Sequence, residues 1–330
     1  MSARIVISEF MDAPAVARLA ARYDVDYRPK LVDEPRALEA AFPAADAWIV
    51  RNRTQVRGAM LDVAQRLRVV GRLGVGVDNI DMDVCRARGI QVFAAAGANA
   101  VSVAEYVVTA ALGGLRGVFF STRAVEAGTW PRQMLSQGRE AAGKTMGLIG
   151  LGSIGQLAAR KASALGMRVI AHDPYLPEDS EAWQCVERPP RTLEQLLRES
   201  DVVSLHVPLR SETRGLIGPR EIALLPSGAI LVNTARGGIV DEDALCAAML
   251  GGHVRAAGLD TFEREPLPAE HPLIGLKKAV LSPHSAALTE ESLLAMGLAT
   301  ARNALDGIDG KLDPALVVNR SVLADAFHAG

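Results

Sequence analysis

The sequence predicts an α/β protein with parallel sheets, divided into two domains. Short apolar runs of strand length alternate with amphipathic segments of helical period from one end to the other, the pattern of strands joined by helical crossovers. At ~150 residues per domain, a chain of 330 residues exceeds one ordinary domain. Near residue 100 the alternation gives way to a longer helical stretch, suited to carry the chain from one domain to the other.

Each element follows from local signals. In the first third, residues 4–10 (RIVISEF), 46–52 (DAWIVRN), 67–74 (LRVVGRLG) and 90–95 (IQVFAA) read as strands. Residues 14–23 and 83–89 read as helices between them, the second stopped by Gly89. Ser102 and Glu105 have capping-box spacing ahead of a long helix, in which Ala104, Val107, Val108, Ala111, Leu112 and Leu115 recur at helical intervals. From Met146 six strands follow, at 146–152, 167–173, 201–209, 229–236, 256–262 and 279–284. Helices fit between them at 154–166, 192–200, 220–228 and 241–252, with Thr192 and Gln195 as a capping box. Six such strands suit the doubly wound order 3-2-1-4-5-6. A last helix over 288–307 would place Leu294, Leu298, Ala301 and Leu305 on one face and stop at Gly307.

Composition narrows the function classes. Acidic and basic side chains nearly balance at a net charge of −2, which argues against nucleic acid or an anionic membrane as the main partner. Three cysteines, Cys85, Cys185 and Cys246, stand at wide spacing and suit reduced thiols in a cytoplasm, with neither a disulfide framework nor a zinc pattern. His172, His253, His271 and His328 likewise lack metal spacing, so no metal is expected. The opening MSARIVISEFMDAP has too short an apolar run, broken by Glu9, for a signal peptide, and the sequence shows no run of membrane-spanning length.

Two phosphate-binding motifs stand end to end in GREAAGKTMGLIGLGSIG. Gly138–Thr145 fits the triphosphate loop, but such a loop must follow a strand and open a helix. Here a polar stretch precedes it and a strand follows, so the match is accidental. Gly150, Gly152 and Gly155 fit G-x-G-x-x-G in the right context, ending a strand and opening a helix at Ser153 and Ile154. The next strand ends at Asp173, 18 residues after Gly155, near the place of an acid that holds ribose hydroxyls. Its charge would repel a 2′-phosphate and no basic residue follows closely, which favours NAD over NADP.

Three chemistry-bearing residues follow the last three strands. Arg236 ends the fourth in NTARGG, Glu265 follows the fifth in LDTFEREP, and His284 ends the sixth in LSPHSA. Each alone reads as a solvated or capping residue. Together, beyond the carboxyl ends of neighbouring strands, they suit reduction of a 2-oxo acid. Arginine grips a carboxylate, histidine passes a proton to the oxygen, and the acid orients the imidazole and favours its charged form.

The stretches GRLGVGVDNID, GREAAGKTMGLIGLGSIG, DVVSLHVPL, NTARGGIVDEDAL, LDTFEREP and LSPHSA resemble the D-isomer-specific 2-hydroxyacid dehydrogenases over most of the chain. The resemblance implies a Rossmann NAD domain, residues 100–285, inserted into a flavodoxin-like substrate domain made of 1–99 and 286–330. It implies Arg236, Glu265 and His284 as the catalytic residues. Asp260 is implied to lie near the nicotinamide amide, with His206, Val207, Pro208, Thr213 and Thr234 lining the cofactor and Arg236 and His284 also touching it. Gly74 and Gly76 mimic a second fingerprint that lacks its third glycine at Asn79; the resemblance makes the loop around Val75 and Gly76 a holder of the substrate carboxylate. It also implies a homodimer, in which the long helix and Trp130 would pack within or between subunits. Formate dehydrogenases carry glutamine where this chain has Glu265, and phosphite dehydrogenases carry lysine where it has Val75. Corepressor relatives carry extensions beyond the core. VRNRTQV resembles sulfolactate dehydrogenases and places Arg51 and Arg53 for a second substrate anion; phosphoglycerate comes next, and a hydroxypyruvate or glyoxylate reductase is the alternative.

Overall fold

The computed structural model describes residues 2–319, and the chain divides into two compact units. One comprises the chain up to Asn99 and again from Leu288, two residues beyond the expected return; the other is Ala100–Ala287. His328 lies outside the described residues.

The first unit runs β1 (Arg4–Ile7), α1 (Ala13–Ala20), β2 (Asp24–Tyr27), α2 (Pro35–Ala41), β3 (Ala47–Val50), α3 (Ala59–Val63), β4 (Val69–Arg72), α4 (Met82–Ala87) and β5 (Gln91–Ala94). Its parallel sheet has the order β2-β1-β3-β4-β5, the flavodoxin-like winding. The strand β2 was not expected, because DVDY carries little apolar character. It forms at the sheet edge, where Arg4 and Arg28 pair with Asp26 at 3.0 and 2.8 Å.

The second unit runs α5 (Ala100–Arg116), α6 (Thr122–Glu126), α7 (Arg132–Leu135), β6 (Thr145–Ile149), α8 (Ser153–Ala164), β7 (Arg168–His172), α9 (Leu193–Glu199), β8 (Val202–Leu205), α10 (Pro219–Leu224), β9 (Ala229–Asn233), α11 (Glu242–Leu250), β10 (Val254–Leu259) and β11 (Ala279–Leu281). The six strands fall where the apolar runs predict them, but their order is β7-β6-β8-β9-β10-β11. This corrects the expected 3-2-1-4-5-6: the third strand read from the sequence lies beside the first. The outer place beyond β7 is taken by an extended segment. Glu187 N–H donates to Val169 O at 2.7 Å and Arg191 N–H to Ala171 O at 3.0 Å. Pro189 and Pro190 between them carry no N–H, so the ladder there stays incomplete and no apolar run betrays it. The neighbours that matter for the site, β9, β10 and β11, are adjacent as expected.

Both faces of this sheet are covered. Along β9, Leu231 joins one apolar core while Ile230 and Val232 join the other, the reason parallel strands read as unbroken apolar runs. The capping box of Thr192 and Gln195 forms at α9. That of Ser102 does not sit ahead of its helix: α5 begins two residues earlier, Ser102 is buried in its first turn, and Glu105 pairs with Lys161 at 2.8 Å instead.

The chain returns to the first unit as α12 (Glu290–Ile308), which packs on α1 and β4. Its buried face holds Met296, Thr300, Ala301, Ala304, Leu305 and Ile308, whereas Leu294 is exposed. Gly307 lies inside the helix, where a Cβ would come within 3.1 Å of Val69; the turn falls at Gly310, with φ 71°. Among the described residues no single helix is long and apolar enough to cross a membrane.

Candidate active site

In the second unit, the loops that leave β9, β10 and β11 carry Arg236, Glu265 and His284. Asn233 shapes the first loop, accepting from Ala235 N–H at 3.0 Å and donating Nδ2–H to Arg236 O at 2.8 Å. A Cβ on Gly237 would overlap the backbone of Phe262 and Glu263, so the glycine lets the first loop lie against the second. Phe262 N–H donates to Glu265 Oε1 at 3.1 Å, and Glu265 Oε2 stands 2.9 Å from His284 Nδ1. Burial alone would raise the Glu265 carboxyl. The hydrogen bond and charge of His284, the Phe262 N–H and the charge of Arg236 outweigh it and hold the carboxyl below its usual range.

His284 is the one non-glycine residue among those described with a left-handed backbone, φ 53°. Its loop is fastened by Asp260, which is 2% exposed. Asp260 accepts from Ser282 Oγ at 2.6 Å and Ser285 N–H at 2.7 Å on Oδ1, and from Ala286 N–H at 2.8 Å on Oδ2. With Nδ1 committed to Glu265, Nε2 is the imidazole atom left to exchange a proton with a substrate oxygen.

The glycine loop between β6 and α8 fits a dinucleotide. Gly150 adopts φ 94°, and a Cβ there would meet His206 O at 2.9 Å; a Cβ on Gly155 would collide with Gly150 O. A Cβ on Gly152 would meet nothing within 4 Å, which leaves an open approach to the N-terminus of α8 at Ser153 and Ile154. The three glycines thus divide into tight turn, open approach and close helix packing. Asp173 accepts from Leu151 N–H at 2.9 Å and Tyr175 N–H at 3.1 Å, which seats it against this loop. Thr234 Oγ1 and both ring nitrogens of His206 are buried with no hydrogen-bond partner among the described residues. Burial lowers the His206 pKa to about 4, so it is neutral at working pH and is no acid. Val207 touches the Gly150 position, and Thr213 Oγ1 ties the turn after Pro208 by donating to Pro208 O at 2.6 Å. The triphosphate-like match offers no cradle: Thr145 is buried as the first residue of β6, and no helix opens there.

In the first unit, Glu9 is 5% exposed and takes three backbone N–H groups, those of Arg51 at 2.8 Å, Thr54 at 3.0 Å and Arg53 at 3.3 Å. Asn79 donates to Arg51 O and Thr54 O at 2.9 and 2.7 Å, a role that a glycine at this position could not fill. The two arginines differ. Arg53 is paired with Asp33 and exposed, whereas the Arg51 side chain has no hydrogen-bond or ion-pair partner among the described residues. Burial lowers the Arg51 pKa, with Glu9 and Asp12 opposing it. Val75 is exposed, and the Arg72 guanidinium lies against Gly74, whose φ is 145°. Glu9, Asn79 and Tyr106 escaped the sequence reading. An acid ending a buried strand was the available signal for Glu9; Tyr106 sits in an apolar helical pattern that hides its hydroxyl. Trp130 is 77% exposed and so is not packed among the described residues.

Residues 108–286 match the family described as D-isomer specific 2-hydroxyacid dehydrogenase, NAD binding domain. The chain is 50% identical over 288 residues to an (S)-sulfolactate dehydrogenase of Chromohalobacter salexigens, covering 87% of this chain and 93% of that one. It is 41% identical over 268 residues to a D-3-phosphoglycerate dehydrogenase of Methanocaldococcus jannaschii, covering 81% of this chain and 51% of that longer protein. A solved D-lactate dehydrogenase of Aquifex aeolicus, complexed with NAD and lactic acid, superposes with TM-score 0.80 at 27% identity, covering 93% of this chain and 96% of that one.

Proposed function

Because this chain belongs to the D-isomer-specific 2-hydroxyacid dehydrogenase family, we propose that its substrate is a 2-hydroxy acid with a second anionic group, a sulfolactate ahead of a phosphoglycerate. The enzyme is an NAD-dependent oxidoreductase of the CH–OH group. When bound, NADH would supply the hydride to the carbonyl carbon in reduction, and NAD+ would accept it from the carbinol carbon in oxidation. Arg236 grips the substrate carboxylate. His284 Nε2 gives a proton to the carbonyl oxygen in reduction and takes one in oxidation. Glu265 fixes the ring through Nδ1. The observation that carries this reading is the His284–Glu265 contact of 2.9 Å on a domain built to hold NAD.

Arg51 is the proposed partner of the second anion, since its guanidinium is half-buried without a partner among the described residues. Arg53 joins only by giving up Asp33. Stereochemistry is consistent with a sulfonate: sulfur outranks the carboxylate in the naming rules, so an S centre in sulfolactate has the spatial arrangement of a D-2-hydroxy acid. An arginine contact to an anion is worth ~1.5–3 kcal/mol. Arg51→Ala is therefore expected to cut kcat/KM for sulfopyruvate about tenfold or more, with pyruvate turnover almost unchanged. An equal loss on both substrates would refute the assignment.

The protein is further proposed to be a cytoplasmic homodimer. Phe119, Trp130 and Met134, exposed by 70, 77 and 70%, lie in the segment from the turn after α5 through α7 and give an apolar surface suited to a second copy. Cys85, Cys185 and Cys246 are free thiols, as a reducing compartment keeps them.

A further inference from the structure

Tyr106 stands on the side of α5 toward the loop that carries His284. Its hydroxyl lies 2.6 Å from Ser282 Oγ, two residues before the imidazole. Ser282 has one proton and gives it to Asp260 Oδ1 at 2.6 Å. Its oxygen can then only accept from the tyrosine, so the chain runs in one direction, Tyr106 to Ser282 to Asp260. Asp260 in turn accepts from Ser285 and Ala286, while His284 N–H donates to Ser282 O at 3.0 Å. The backbone is thus held on both sides of a residue in a sparsely populated conformation, which persists only where its surroundings over-determine it. Burial raises the Tyr106 pKa, which keeps the hydroxyl a donor at working pH.

We propose that Tyr106 is a positioning residue for His284, the far end of a Tyr106–Ser282–Asp260 hydrogen-bond chain that fixes the imidazole for proton transfer. This rests on the reading of His284 as the acid–base group. It assigns a function to a hydroxyl that apolar packing of α5 does not need, since the ring alone would fill the same core space.

The test is a double-mutant cycle on the full-length enzyme with Tyr106→Phe, Ser282→Ala and the pair, reading kcat, KM and NADH Kd. Tyr106→Phe is expected to lower kcat three- to tenfold, the effect of one lost buried hydrogen bond, with KM and NADH Kd within about twofold. Ser282→Ala should lose at least as much, the double variant no more than Ser282→Ala, and Ser282→Thr should restore most of the loss. An unchanged kcat in Tyr106→Phe, or losses that multiply in the double variant, would overturn the proposal. So would a lower melting temperature with kcat intact, the mark of a merely structural tyrosine. His284→Ala separates the two levels: it should bind NADH normally and lose roughly 10²-fold or more in turnover. Normal turnover there would overturn the reading of the site itself.

Discussion

One methyl group at Gly237 is expected to disable the site without touching the cofactor loop. A Cβ there would fall 1.9 Å from both C and O of Phe262 and 2.3 Å from N of Glu263. Ordinary carbon contacts begin near 3.5 Å, so the two loops must part by about 1.5 Å. Both sides are backbone, and no side chain can swing away to relieve the overlap. The displaced segment holds Glu265 through Phe262 N–H and is itself held by Glu242, which accepts from Glu263 N–H at 2.7 Å. Arg236 and Glu265 would therefore separate, and the contact of Glu265 to His284 with them. A misplacement of ~1 Å in a catalytic group costs on the order of 10²-fold in rate, and overpacking costs ~1–3 kcal/mol of stability. Gly237→Ala is expected to lose about 10²-fold in kcat while NADH Kd, measured by fluorescence, stays within about threefold. The glycine loop follows β6, which β8 separates from β9, so the disturbance should not reach it. A folded Gly237→Ala enzyme with near-normal kcat would show that this loop contact does not set the site.

Three further outcomes are expected. With Asp173 seated against the glycine loop, NADH should exceed NADPH by at least tenfold in kcat/KM, ~1.4 kcal/mol; equal rates with the two cofactors would contradict the assignment. Glu265 ionises below its usual range because it faces His284 and Arg236; its charge is present above that range and lost as pH falls through it. Glu265→Gln removes the charged acceptor that holds His284 Nδ1, so kcat should fall about tenfold or more with NADH Kd little changed, and an unaltered kcat would remove the coupling. His206, held to a pKa of about 4 by burial, stays neutral in the folded state while the unfolded chain takes up a proton below about 6.5. Stability of the cofactor-free enzyme should accordingly fall from pH 6.5 toward 4, by at most on the order of 3 kcal/mol. Urea titrations should show a flatter fall in His206→Gln.

The site was legible in the sequence where chemistry sits at the end of an apolar run. Arg236 and Glu265 follow parallel strands buried on both faces, which makes their apolar runs long enough to read, and His284 follows the half-buried edge strand β11. The glycine loop was legible because turn, approach and packing each demand a glycine at a fixed interval. What failed depends on tertiary partners. DVDY becomes a strand through its pairing with β1 and its ion pairs, and 187–191 completes a sheet edge with two prolines inside it. Gly307 looks like a helix stop but gives α12 its close approach to Val69. Glu9 was read as a polar break in an apolar run, yet it organises the loop that carries Arg51 through three backbone hydrogen bonds. Arg51 and Arg53 are alike in sequence and unlike in the fold, because Asp33 engages only one of them.

The most direct measurement is steady-state NADH oxidation by the purified enzyme against sulfopyruvate, phosphohydroxypyruvate, hydroxypyruvate, glyoxylate and pyruvate, repeated with Arg51→Ala. The account predicts the highest kcat/KM for a doubly anionic substrate, sulfopyruvate first, an S product from it, and an advantage over pyruvate that falls by about tenfold or more in the variant. An enzyme fastest on pyruvate and indifferent to Arg51→Ala would contradict it.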